Sequence, residues 1–274
     1  MIDAAAALLA AALLTAPEPG APGVLLEDLT WVEAEKALTL DAVVVLPLGA
    51  ASKEHGPHLK LKNDFVLATF LRDRVRERAR VVIAPTIDYG YYPAFVEYPG
   101  STSLSLETSR DMIVEICRGL SRFGPRRFYV LNTGVSTVRA LAPAAEALRA
   151  EGILLRYTDI LKATEEVEKR VSKQEGGTHA DEIETSMILY MSPDDCDMSK
   201  AARDYHPGKG PLTRDPSKKD AVYSPSGVYG DATLATKEKG RIVTEALVAA
   251  IVAEIEGLRT APLPPALVPT HSVR

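Results

Sequence analysis

Hydrophobic and polar positions along this chain change period several times. Residues 42–49, AVVVLPLG, form an unbroken, β-branched apolar run, the pattern of a strand buried on both faces. Comparable runs at 80–90 (RVVIAPTIDYG), 126–134 (RRFYVLNTG) and 153–161 (ILLRYTDIL) predict three more strands. Between them, apolar residues recur at helical spacing over 64–79, 105–124 and 137–152, and Gly124-Pro125 ends the second of these helices. A further helix is predicted at 29–38, with Thr30 as its cap, and another at 179–193, where Thr178 and Asp181 have the spacing of a capping box. The last helix is the long one, 235–259. Strands that alternate with helices predict an α/β fold around a mostly parallel sheet. In such sheets ligands bind beyond the carboxyl ends of the strands.

Composition narrows this picture without redirecting it. The 274 residues suit one large domain, and 46% hydrophobic with 25% charged residues is ordinary for a globular protein. A net charge of −5 gives no global attraction to nucleic acid or to a membrane surface, and basic stretches such as RDRVRERAR (72–80) read as solvated helix faces. Two cysteines, Cys117 and Cys196, make neither a disulfide framework nor a zinc ribbon. Residues 1–23 read as a leader: eleven apolar residues (4–14) are too few to span a bilayer but match the apolar region of an export signal. The leader lacks the basic residues of such signals, so a disordered tail on a cytoplasmic protein is the alternative to export. The domain then spans 24–260, followed by a proline-rich tail, 261–274, expected to be extended or disordered.

Candidate chemistry is concentrated where the strand at 42–49 ends. The segment KEHGPHLKLKND (53–64) places Glu54, His55, His58 and Asp64 within eleven residues, with Lys53 beside them. Imidazole and carboxylate are the usual ligands of zinc, manganese and related ions, and a turn anchored to a strand holds them in place. Asp64, at the start of the next helix, can return to the same centre. A second strand end carries NTGVST (132–137), and the tyrosine cluster YGYYPAFVEY (89–98) supplies rings able to stack on a planar ligand.

The segment LPLGAASKEHGPHLKLKND resembles the signature of the creatininase (creatinine amidohydrolase) family. YPGSTSLSLET (98–108), HADEIETSMILYMSPD (179–194) and GVYGDATLATKEKG (227–240) resemble three further segments of that family, in the same order. The resemblance implies a creatininase-like α/β sandwich, assembled as a hexamer, with a two-metal site that hydrolyses non-peptide C–N bonds, often in cyclic amides. It also implies metal-ligand positions at His55 and Asp64, a pocket histidine at His179 for substrate binding or proton transfer, and acidic residues at Glu182 and Glu184.

The departures from the family pattern define the open questions. The family's first ligand, a glutamate, falls on Lys53, unless one extra residue lets Glu54 swing into that place. In an extended segment, however, His55 shares its face with Lys53 and not with Glu54. The family's ligand-bearing turn reads Asn132 to Thr137 here, with Gly134 at its histidine and Ser136 at its second carboxylate. The primary expectation is a metal-dependent amidohydrolase using one or two zinc or manganese ions. Its candidate ligands are Glu54, His55, His58, Asp64 and Glu184; its candidate catalytic residues are His179, Glu182 and Lys53; Tyr91, Tyr92, Ser136 and Asn132 are candidate contacts for a small-molecule substrate. Two alternatives stay open: a metal-free hydrolase or lyase built on Lys53 and His179, and a non-catalytic binding protein on the same scaffold. A nucleic-acid or membrane partner is not expected.

Overall fold

The computed structural model describes residues 22–266, so all but the last two residues of the leader and residues 267–274 of the tail lie outside the described residues. Five parallel strands form the central sheet: β1 (Val24–Leu25), β2 (Val43–Leu48), β3 (Val82–Ile83), β4 (Arg127–Asn132) and β5 (Leu154–Tyr157). Their order across the sheet is β1-β3-β2-β4-β5. β2 is the middle strand and is buried along its whole length, as its unbroken apolar run requires. The period of two splits it between two cores. Val43 and Val45 face one side of the sheet, while Val44, Leu46 and Leu48 face the other.

Helices α2 (Asn63–Arg78), α5 (Ile160–Val171), α6 (Glu182–Met191) and α7 (Lys237–Thr260) cover the first side. Helices α1 (Trp31–Ala37), α3 (Leu106–Ser121) and α4 (Val138–Arg149) cover the second. Each fully buried Val or Leu contributes roughly 1.5–3 kcal/mol of transfer free energy, so these two layers dominate the stability of the fold. Helices α6 and α7 meet at Gly240, where a Cβ would come within 1.8 Å of the Ser186 carbonyl oxygen; only glycine lets the two backbones approach so closely. Among the described residues, no helix is long and apolar enough to cross a membrane.

Two local expectations are corrected. The strand predicted over 153–161 ends at Tyr157, and the chain then forms α5, a helix that the sequence reading did not contain. Ile160, Thr164, Val167 and Val171 have helical spacing and pack inward, but the apolar run ILLRY leads directly into them and masks the change of period. The start of α6 is capped by Asp181, not by a Thr178 box. The Asp181 carboxylate accepts hydrogen bonds from the Ile183 and Glu184 amides at 3.0 and 2.9 Å. At α1 the cap is Thr30, whose reciprocal bonds with Glu33 form a capping box. In the described part of the tail, Ala266 pairs with Glu151 in an antiparallel bridge.

Candidate metal centre

The site lies at the carboxyl ends of β2 and β4. Past Leu48 the chain turns at Gly49, where a Cβ would meet the Asp64 carbonyl oxygen at 2.2 Å. Glycine therefore allows the first turn of α2 to rest on the strand end and brings Asp64, fully buried, beneath the loop 53–58. The amino-terminal end of α2 favours its negative charge. Thr133, just past β4, ties the two strand ends together by donating to the Leu48 carbonyl at 3.1 Å.

Side chains of the loop alternate between two directions. Lys53 and His55 turn toward Asp64: Lys53 Nζ lies 2.7 Å from Oδ2, and His55 Nε2 lies 2.9 Å from Oδ1. The lysine contact is a close, buried ion pair, so each oxygen of Asp64 faces one basic group of the loop. Glu54 turns the other way and meets His179, its Oε1 lying 2.8 Å from Nε2, while its Oε2 accepts from the Gly56 amide. His179 and Glu184 arrive from the amino-terminal end of α6. Between them Ala180 takes a left-handed backbone (φ 47°), uncommon for a residue with a side chain, and donates its amide to Glu184 Oε2 at 2.6 Å.

The two imidazoles have the same hydrogen-bond logic. His55 Nδ1 lies 2.9 Å from the Lys53 carbonyl, which can only accept, so Nδ1 carries the hydrogen. His55 Nε2 then faces Asp64 Oδ1 and, at 3.4 Å, Glu184 Oε1. In a neutral ring this puts a lone pair against two carboxylate oxygens, an arrangement that needs a proton or a cation between them. In His179 the hydrogen sits on Nε2, directed at Glu54, and Nδ1 is left 3.6 Å from Glu184 Oε2. Ligand atoms of His55, His179 and Glu184 lie within 4.8 Å of one another. Each imidazole donates its second N–H to a carbonyl or a carboxylate, as metal-binding histidines ordinarily do. The donor set therefore fits a divalent ion.

Charge states follow from this crowding. Burial and the Lys53 ammonium oppose a charge on His55, but Asp64 and Glu184 outweigh them and raise its pKa to about 9. Burial likewise opposes the charge on Lys53, yet Asp64 and Glu184 hold its pKa above the usual lysine value. For Glu184, burial is overcome by His55, His179 and Lys53, and its carboxyl stays well below the ordinary range. A cavity of about 220 Å³ opens above these groups, with Lys53, His179, Glu184, Tyr92, Phe95 and Ser136 among its lining residues. Phe95 lies over the His179 ring, centroids 4.2 Å apart, and 4.7 Å from Lys53 Nζ.

The structure thus unites Lys53, Glu54, His55, Asp64, His179 and Glu184, but it redistributes their places. Glu54 orients His179, and His179 stands among the three clustered ligands. His58 is buried outside that cluster: its Nε2 is paired with Thr185 Oγ1 at 2.8 Å, and burial lowers its pKa to about 4. Glu182 is turned away from the cavity, ion-paired with Lys239 and bonded to the Lys173 and Gln174 amides, so it holds the α5–α6 connection together and is not placed for catalysis. Asn132 uses its side chain within its own turn, on Gly134, Thr137 and the Thr158 carbonyl, and does not face the cavity. Tyr92 and Ser136 line the cavity, whereas Tyr91 does not. Phe95 lines the cavity as a member of the aromatic segment 89–98, whereas Thr178 and Tyr229 were not singled out as lining residues, and only the position of Tyr229 within the GVYGD segment hinted at its place.

Comparison with known proteins agrees with this geometry. The family model described as "Creatininase: Creatinine amidohydrolase" matches residues 27–255. Creatinine amidohydrolase of Pseudomonas putida is 30% identical over 247 residues, covering 82% of this chain and 93% of that protein. The mycofactocin precursor peptide peptidase of Mycolicibacterium smegmatis is 30% identical over 211 residues, covering 74% and 80%. The solved structure "Creatininase Mn" superposes with a TM-score of 0.72 at 27% identity, covering 87% of this chain and 100% of that one. On this evidence the chain belongs to the creatininase family of hydrolases.

Proposed function

We propose that this protein is a metal-dependent amidohydrolase acting on a C–N bond of a small molecule, with a cyclic amide as the favoured substrate class. The observation that carries this reading is the convergence of His55 Nε2, His179 Nδ1 and the Glu184 carboxylate within 4.8 Å of one another, beside Asp64. His55, His179 and Glu184 would hold the ion, with Asp64 alongside. Imidazole with carboxylate suits zinc or manganese. Such an ion polarises a carbonyl and acidifies water near neutral pH. The chain's own residues do the rest. Glu54 fixes the tautomer and orientation of His179. The Lys53 ammonium, at the cavity wall, offers positive charge where a carbonyl oxygen becomes negative. Tyr92 and Phe95 supply apolar faces for a flat ring, and the small volume of the cavity favours a compact substrate.

The test is to purify the protein without chelators, measure zinc and manganese per chain, and assay cyclic amides alongside short peptides. Bound metal that is lost in His55→Ala, together with ring opening that depends on the metal, is the expected result. Absence of metal after soaking with either ion would sink the reading. Cleavage of peptides but of no cyclic amide would move the substrate class toward that of the peptidase relative.

A further inference from the structure

We infer that Lys53 is a protein-borne cation filling one half of this centre, so that the site takes one divalent ion per chain and not two. The inference rests on the metal-centre reading above and fixes its stoichiometry.

Three observations carry it. The first is the setting of the ammonium. Lys53 is only 5% exposed, yet its Nζ is 2.7 Å from Asp64 Oδ2 and faces the rings of Phe95 and Tyr92 at 4.7 and 5.6 Å. A carboxylate and two aromatic faces satisfy a buried ammonium without water. The second is space. On the β4 side, a Cβ at Gly134 would stand 2.9 Å from Thr137 Oγ1 and 3.1 Å from a Tyr92 ring carbon. Position 134 carries no side chain, and Thr137 and Tyr92 stand close around it, so no ligand is offered to Asp64 from there. Among the described residues, the one cluster of three or more His, Cys, Asp or Glu ligands is His55, His179 and Glu184, and Lys53 stands against the other oxygen of Asp64. The third is charge. Glu54, Asp64 and Glu184 bring three negative charges to the centre and Lys53 brings one positive charge. With both imidazoles neutral, as ligation requires, two negative charges remain, which one divalent ion balances.

The experiment is a titration of the metal-stripped protein with MnCl₂, counting bound ions per chain by equilibrium dialysis and following the Mn(II) electron paramagnetic resonance spectrum. Wild type is expected to saturate at one ion, with an uncoupled six-line signal that persists in excess metal. Lys53→Gln removes a like charge from beside the ion and frees Asp64, so it is expected to bind its manganese at least tenfold more tightly. An ammonium needed only for folding would give weaker binding in that variant, and that result would overturn the inference. Two ions with a spin-coupled signal in wild type would also overturn it while leaving the metal-centre reading intact. No bound ion at any concentration would overturn both. The wild-type stoichiometry decides the matter even if Lys53→Gln does not fold.

Discussion

At the scale of single residues, the centre depends on which hydrogen each imidazole keeps. Glu54 lies 2.8 Å from His179 Nε2, and with the Glu54 carbonyl at 3.0 Å it leaves the ring one tautomer. Glu54→Gln preserves shape but replaces a charged acceptor with a neutral amide that can also present its NH₂ to the ring. Loss of such a partner typically costs 10- to 100-fold in metal affinity, so we expect Glu54→Gln to weaken manganese binding by about tenfold or more. Calorimetric titration of folded variant and wild type checks this, and equal affinities would show that His179 is oriented by packing alone. Phe95, packed against the same ring at a tilt of 37°, is the packing group that would then be responsible.

At the scale of elements, the helices that deliver Asp64 and Glu184 pack on α7 and share with it one bridging carboxylate. Glu245 accepts two bonds from Arg74 at 3.0 Å, one from Arg78 at 2.9 Å and one from the Tyr190 hydroxyl at 3.2 Å, joining α2, α6 and α7. Partial burial opposes its charge, but the two arginines outweigh this and hold its pKa below the usual 4.5. A lowered carboxyl pKa gives stability that is complete above pH 4.5 and is lost as pH falls through the lower folded value. We therefore expect the stability difference between wild type and Glu245→Gln to be about 0.5–1 kcal/mol at neutral pH and to vanish in acid. Urea midpoints measured from neutral pH downward through 4.5 test this; a difference that does not shrink as pH falls would assign the effect to packing.

At the scale of the whole molecule, the centre joins segments far apart in the chain: the loop after β2, the first turn of α2 and the amino-terminal end of α6. An ion that binds only when these meet must stabilise the fold by mass action. Free metal at 100 times its dissociation constant adds about 2.7 kcal/mol. For a chain of this length that corresponds to a rise of roughly 5–10 °C in Tm, reversed by a chelator. A scanning calorimetry trace unchanged by manganese and zinc would count against ligation by residues on separate elements.

Much of this was legible in the sequence because it is local. The apolar run of β2 announces a strand buried on both faces, and the cluster that follows it falls at a strand end where α/β sheets place ligands. The period of two put His55 on the face of Lys53, and both side chains do meet Asp64. The α5 helix was hidden because only Thr158 and Asp159, the N-cap position, separate it from β5, so the apolar strand run reads on into the helix. Pairings between distant segments had no local signal at all. Glu182 and Glu184 are two residues apart on one helix, and a step of two turns them about 200° apart, so only docking of α6 against α7 decided that Glu182 meets Lys239 while Glu184 enters the centre. The partnership of Glu54 with His179, 125 positions away, was likewise fixed by how two loops close over one cavity. Sequence by itself determined the alternation of strands and helices, most of its elements and the strand end that carries the chemistry, since these follow from local periodicity. Tertiary structure alone decided which charged group faces which, because that depends on the meeting of surfaces that no single segment encodes.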